Sequence, residues 1–205
     1  MLTAFTAGLL LITVSELGDK TFFIAVILAM RHSRRLVFTG VLAALAAMTI
    51  LSVLLGHAVS FLPKTYIHYA EIALFIGFGL KLLYEASQMP AQPNCETAEE
   101  AMETVKEAEL KMPKRKTPLR IVLEAFCLTF MAEWGDRTQI ATIALAASNP
   151  VLGVTTGAIV GHGICTAIAV IGGRLIAGRI SERVITAIGG CLFLIFGAIA
   201  GWQGV

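Results

Sequence analysis

The hexapeptide Glu16-Leu17-Gly18-Asp19-Lys20-Thr21 recurs 117 residues later as Glu133-Trp134-Gly135-Asp136-Arg137-Thr138, and both copies sit inside long apolar runs. An ionised side chain in such a run costs about 2.5–3.5 kcal/mol to insert into a bilayer core, so two carboxylates and a base in each copy constrain the fold more than any other feature. The apolar setting is general: 57% of the 205 residues are hydrophobic, 15% are charged and the mean hydropathy is +0.79. That balance excludes an ordinary soluble domain and predicts an all-α integral membrane protein. Runs at roughly 5–30, 36–62, 67–86, 119–147, 151–178 and 184–204 are each long enough for a transmembrane helix, since about 20 residues span. The first run has no basic residue before Lys20 and an acidic centre, so it is expected to stay as a helix rather than leave as a signal peptide.

Shifted by 117, Gly40 aligns with Gly157, Thr49 with Thr166 and Gly56 with Gly173, which makes the repeat unit three helices. The chain divides into a first three-helix repeat, 1–87, a polar linker, 88–118, and a second repeat, 119–205. Because three crossings are an odd number, the second copy enters the membrane from the opposite side. The loop charges agree. Arg31, Arg34 and Arg35 follow the first run, Lys64 alone follows the second, Lys106, Lys111, Lys114, Arg115, Lys116 and Arg120 lie between the third and fourth, and Arg174, Arg179 and Arg183 follow the fifth. The positive-inside rule puts these 12 basic residues in the cytoplasm against one outside, with both termini outside. The expected architecture is therefore six transmembrane helices in two inverted-topology three-helix repeats, an arrangement that places a site at the midplane between halves. Short loops without an added targeting extension point to a bacterial plasma membrane.

In the linker, Pro90 and Pro93 end the third helix, and Pro113 and Pro118 bound a short cytoplasmic helix in which Glu96, Glu99, Glu100, Glu103, Glu107 and Glu109 alternate with Lys106 and Lys111. It reads as a solvated connector between the halves; a cation-collecting or regulatory role is the sharper alternative. Gly153, Gly157, Gly161, Cys165, Ala169 and Gly173 form a stripe of small residues in the fifth run, and Gly40, Ala44, Ser52 and Gly56 form one in the second, so both helices are built for close approach. Cys95, Cys127, Cys165 and Cys191 show no C-x-x-C spacing and read as packing residues.

On a continuous helix Glu16 and Asp19 share a face, and Lys20 lies one turn after Glu16 in ion-pair orientation. Gly18 removes a side chain, so a partner helix or an ion can approach the backbone. Glu133, Gly135, Asp136 and Arg137 repeat this from the opposite direction, and folding the repeat brings four carboxylates together. Glu16, Asp19, Glu133 and Asp136 carry −4 and Lys20 with Arg137 return +2; the remaining −2 calls for one divalent cation or two protons. An oxygen-only cluster with no nearby Cys or His suits hard ions such as Mn²⁺, Ca²⁺ or Mg²⁺. Thr21, Thr138 and Gln139 offer neutral oxygens, although the two threonines fall away from the acidic face by helical spacing. A purely structural pair of staples, Glu16–Lys20 and Glu133–Arg137, leaves Asp19 and Asp136 unexplained. His57 and His162 read as packing histidines rather than ligands or relays, and Lys81 as a snorkelling residue.

Two copies of E-x-G-D-[KR]-[TS], each on the first helix of its half of a six-helix chain with an acidic linker, resemble the UPF0016 family, also called the Gdt1 family of cation transporters. The resemblance covers the full length, and both copies match without departure. It implies secondary transport of Mn²⁺ and Ca²⁺ against protons, with bacterial members exporting manganese and eukaryotic ones serving Golgi or chloroplast membranes. No bound cofactor and no nucleic-acid partner are expected; the partners are the lipid bilayer and the transported ions, and the protein is a monomer or homodimer. An enzyme is the weaker reading: intramembrane aspartyl proteases carry G-x-G-D and a later Pro-Ala-Leu, and this chain has Glu16 and Glu133 in place of the first Gly and no Pro-Ala-Leu. A divalent cation channel with an acidic selectivity site is the nearer alternative, disfavoured by the inverted repeat and the bases beside the carboxylates.

Overall fold

The computed structural model describes residues 1–89, 96–110, 117–176 and 181–203, and among them the regular structure is entirely α-helical. Of the positions named above, Pro90, Pro93, Cys95, Lys111, Pro113, Lys114, Arg115, Lys116 and Arg179 lie outside the described residues, as do the side chains of Glu96, Glu109 and Arg174. The described elements are α1 (Leu2–Glu16), α2 (Lys20–Arg31), α3 (Arg34–Val59), α4 (Lys64–Gln88), α5 (Glu96–Leu110), α6 (Pro118–Ala132), α7 (Arg137–Ser148), α8 (Val151–Ile176) and α9 (Glu182–Gln203). Pro63 stands just before α4 and Pro118 opens α6, positions where a missing N–H leaves no intrahelical bond unmade.

Among the described residues four helices are long and apolar enough to cross a membrane: α3, α4, Val151–Gly172 of α8 and Arg183–Trp202 of α9. The other two expected spans are interrupted. α1 and α6 have 15 residues each and α2 and α7 have 12, so these pieces are about 22 Å and 18 Å long against a hydrocarbon core of about 30 Å. Both breaks fall inside the repeated hexapeptide, which corrects the expectation that each acidic motif rides on one continuous helix.

The small-residue stripes are where backbones meet, and the contacts obey the 117-residue shift. A Cβ at Gly40 on α3 would stand 2.5 Å from the Val122 carbonyl oxygen on α6, and a Cβ at Gly157 on α8 would overlap the carbonyl of Phe5 on α1, the residue that aligns with Val122. The stripes of α3 and α8 thus receive α6 and α1 rather than one another. α4 packs along α9, where a Cβ at Gly79 or at Gly190 would each meet the other's carbonyl oxygen at 3.0 Å. In lipid, such contact takes over the role that hydrophobic burial plays in water.

Two apolar clusters lie along the bundle. One gathers Phe22 to Leu28 of α2 with Val37, Val41, Ala125 and Ala169; the other gathers Ala4 and Leu11 of α1 with Phe75, Leu145, Val154 and Phe193. The first and fourth runs each pass from one cluster to the other through the hexapeptide. Outside, Leu54, Leu152, Ile171, Ile188 and Trp202 are exposed, the apolar exterior that a bilayer covers. Residues 96–110 do not stand off in solvent: α5 packs against α2 and buries Ala101 and Val105, while Glu99, Glu103, Lys106 and Glu107 face outward.

Candidate metal centre

Each hexapeptide ends one helix and starts the next. α1 stops at Glu16 and α6 at Ala132, while Asp19 and Asp136 are the N-caps of α2 and α7. The turns close through the Asp19 N–H donating to the Glu16 carbonyl (3.3 Å) and the Asp136 N–H donating to the Glu133 carbonyl (3.2 Å). Gly18 and Gly135 have φ of +80° and +81°, the left-handed region where an L side chain costs about 1–2 kcal/mol. The glycines therefore redirect the chain; their role goes beyond the removal of a side chain expected from a continuous helix. A Cβ at Gly18 would also sit 3.2 Å from Ile185 Cδ1, whereas at Gly135 nothing lies within 4 Å. Gly18→Ala is accordingly expected to lower the thermal midpoint of the purified protein more than Gly135→Ala, with Gly135→Asn milder than Gly135→Val because Asn tolerates positive φ. Equal midpoints for Gly135→Val and Gly135→Asn would show that the turn does not need this conformation.

The break changes which side chains meet. Thr21 Oγ1 donates to Glu16 Oε2 at 3.1 Å, and Thr138 Oγ1 donates to Glu133 Oε2 at 3.2 Å and to Asp136 Oδ2 at 3.1 Å. On a continuous helix these threonines would point away; once the chain turns at glycine they hold one oxygen of each glutamate. Gln139 Oε1 accepts from the Gly135 N–H at 2.7 Å, so it braces the turn instead of offering a free oxygen. The Glu16–Lys20 and Glu133–Arg137 staples, the weaker structural reading of the motifs, do not form. Lys20 Nζ lies 3.7 Å from Glu100 Oε2 on α5, and Arg137 crosses to the other half, 3.2 Å from Asp19 Oδ1 and 3.9 Å from Glu85 Oε2 on α4. Lys81, expected to snorkel, pairs with the same Glu85 at 3.7 Å.

One carboxylate oxygen from each of Glu16, Asp19 and Glu133 falls within 4.8 Å of the others. Asp136 is not in this trio; its carboxylate also accepts from the Thr138 N–H at 3.3 Å as the cap of α7. Glu16 and Glu133 are each 2% exposed, and Oε1 of both is buried without a hydrogen-bond partner. Buried polar atoms are nearly always satisfied, so the two orphaned carboxylate oxygens, on glutamates that cluster with Asp19, are groups that could hold a cation. Ionised, the trio carries −3 and Arg137 returns +1, leaving the charge of one divalent cation. The C-terminal ends of α1 and α6 and the N-terminal ends of α2 and α7 also converge here, bringing carbonyl and N–H groups freed by the breaks.

The cluster is not purely oxygen, contrary to the reading that no Cys or His is near. His162 of α8, 5% exposed, places Nδ1 3.8 Å from Glu16 Oε1. His57, by contrast, stands at the far end of α3 against Phe61, with ring centroids 5.6 Å apart. Glu71, Glu85 and Glu124 are further acids in apolar helices that a motif-centred reading leaves out, although the cost of inserting any carboxylate was the signal that could have found them. Glu124 is 1% exposed and lies 4.0 Å from His32 Nε2. Glu71 is hydrogen-bonded by Ser148 in a cavity of about 820 Å³ between α1, α4, α7 and α9. Along α1 that cavity is lined from Thr3 to Leu10, the latter about 9 Å from Glu16.

The family model described as "Divalent cation/proton antiporter GDT1" matches residues 4–90 and 121–205. A GDT1-like protein of Synechocystis sp. is 61% identical over 202 residues, 98% of each chain. GDT1-like protein 2, chloroplastic, of Oryza sativa subsp. japonica is 45% identical over 217 residues, covering 99% of this chain and 62% of its own length. Protein PAM71-homolog, chloroplastic, of Arabidopsis thaliana is 44% identical over 211 residues, covering 96% of this chain and 58% of its own length. No solved structure matches the chain.

Proposed function

The chain belongs to the GDT1 family of divalent cation/proton antiporters, a family of membrane transporters rather than enzymes, and from that premise we propose that it exports Mn²⁺, with Ca²⁺ as a second cargo, in exchange for protons. The observation that carries this is the pair of buried, unpartnered Oε1 atoms of Glu16 and Glu133 beside Asp19, with a net −2 once Arg137 is counted. One divalent ion neutralises that charge, and so do two protons; a site that must hold one or the other exchanges them. Asp136, the remaining acid of the two hexapeptides, caps α7 and shares Thr138 with Glu133, and stands beside the trio outside that charge count.

In this reading α1–α2 and α6–α7 are each one interrupted crossing, giving six transmembrane helices in two inverted three-helix repeats, 1–87 and 119–205, joined by a cytoplasmic linker, 88–118. The equivalence of the Gly40–Val122 and Gly157–Phe5 contacts supports the repeat, and the loop charges support termini outside a bacterial plasma membrane. Interrupted helices at the midplane suit alternating access, because a short piece can tilt about its glycine without breaking a long hydrogen-bond ladder. The partners are the bilayer and the ions themselves, and no resident cofactor or nucleic acid is required of a monomer or a homodimer.

The test is flux in proteoliposomes. An imposed proton gradient should drive Mn²⁺ against its own gradient. Movement only down the Mn²⁺ gradient, indifferent to protons, would make the protein a channel instead.

A further inference from the structure

We propose that His162 is a nitrogen ligand of this centre and the residue that makes it prefer Mn²⁺ to Ca²⁺; the inference rests on the transport reading above and extends its site beyond the two hexapeptides. His162 is 5% exposed, and its Nδ1 is buried without a hydrogen-bond partner, as is the Glu16 Oε1 that it faces at 3.8 Å. That separation is too long for a hydrogen bond. It does fit two donors around one ion: with metal–ligand distances of roughly 2.0–2.6 Å, donors stand about 2.9 Å apart or more at right angles and over about 4 Å apart when opposed.

Packing alone does not ask for an imidazole here. The residue related to His162 by the 117-residue shift is Leu45, 3% exposed in the apolar cluster around α2, so the other half fills the equivalent place with hydrocarbon. A polar ring kept at a buried position with its donor atom turned to an unpartnered carboxylate needs a third party between them. Cys165, one turn further along α8, is no rival as a soft ligand, because its thiol donates to the Thr13 carbonyl at 3.2 Å.

The chemistry of the donor set then determines the cargo. Ca²⁺ takes oxygen ligands and gains little from imidazole, whereas first-row transition ions accept nitrogen readily. Three carboxylates alone would bind either ion. One neutral imidazole, with its proton on Nε2 and its lone pair on Nδ1, tips the site toward Mn²⁺.

The experiment uses the full chain in detergent with Mn²⁺ alone and Ca²⁺ alone as probes. Electron spin-echo spectra of bound Mn²⁺ should show modulation from a directly coordinated ¹⁴N, and His162→Leu and His162→Asn should both lose it. Mn²⁺ affinity should fall roughly tenfold or more in both variants while Ca²⁺ affinity stays within about twofold. His162→Asn keeps a polar side chain and carries the test if the leucine variant does not fold. Mn²⁺ bound to the unaltered protein without ¹⁴N modulation, or equal losses of Mn²⁺ and Ca²⁺ affinity, would overturn the assignment while leaving the transport reading intact. If the unaltered protein bound neither ion, the transport reading itself would fall and this assignment with it.

Discussion

Glu16→Gln and Glu133→Gln are each expected to abolish proton-driven Mn²⁺ movement in proteoliposomes while the protein still folds. Glutamine keeps the length of the side chain and an oxygen that can accept from Thr21 or Thr138, so the local geometry of the turn survives. What it removes is one negative charge from a site whose −2 matches one divalent ion. A buried charge left uncompensated costs about 3 kcal/mol or more, which is roughly two decades in metal affinity. Asp19→Asn should be as severe, because Asp19 is both a member of the trio and the partner of Arg137. Asp136→Asn should rank below these, since Asn is also a good N-cap and Asp136 stands outside the trio. Flux and folded yield measured side by side decide the matter. If either Gln variant still drove Mn²⁺ uphill, or if both simply failed to accumulate as folded protein, the glutamates would be structural groups and the exchange mechanism would be wrong.

Metal affinity should weaken steeply as pH falls. Ligation needs the carboxylates ionised, and protons bind the same oxygens, so lowering the pH loads the competitor and raises the apparent dissociation constant. With two protons displaced by each ion, the limiting slope is two, or about a hundredfold per pH unit where both carboxylates titrate. Isothermal titration of Mn²⁺ across roughly pH 5 to 8, with the proton release of each injection obtained from buffers of different ionisation heat, measures slope and stoichiometry together. An affinity flat over that range would rule out shared oxygens. A slope of one would mean that a single proton exchanges and that net charge moves with each cycle.

The sign of both effects is legible in the sequence, because it depends on which residue types share an apolar run. Their ranking is not. Spacing alone makes four equivalent carboxylates, yet the tertiary arrangement separates Asp136, tied to its own Thr138, from Asp19, tied to Arg137 of the opposite half. The two hexapeptides are near copies in sequence and differ in their partners, because Lys20 meets Glu100 of α5 while Arg137 meets Asp19 and Glu85. A repeat in sequence constrains the backbone of both copies; it does not dictate what the rest of the molecule places beside each one.

What the sequence determined by itself is what hydration decides residue by residue: a helical membrane chain, a duplicated acidic hexapeptide, and carboxylates too costly to bury without positive charge. What only the tertiary structure decided is where the helices stop and what crosses between them. A single glycine in a helix costs about 1 kcal/mol, too little to force a break, so Glu16-Leu17-Gly18-Asp19 reads equally well as helix or as turn. The choice is made where the opposing half brings Arg137 to Asp19 and where Gly18 takes a φ of +80° beside Ile185. His162 belongs to the same class of fact. Nothing local distinguishes it from a packing histidine; its meaning comes from facing, 146 positions away in the chain, a Glu16 oxygen that has no other partner.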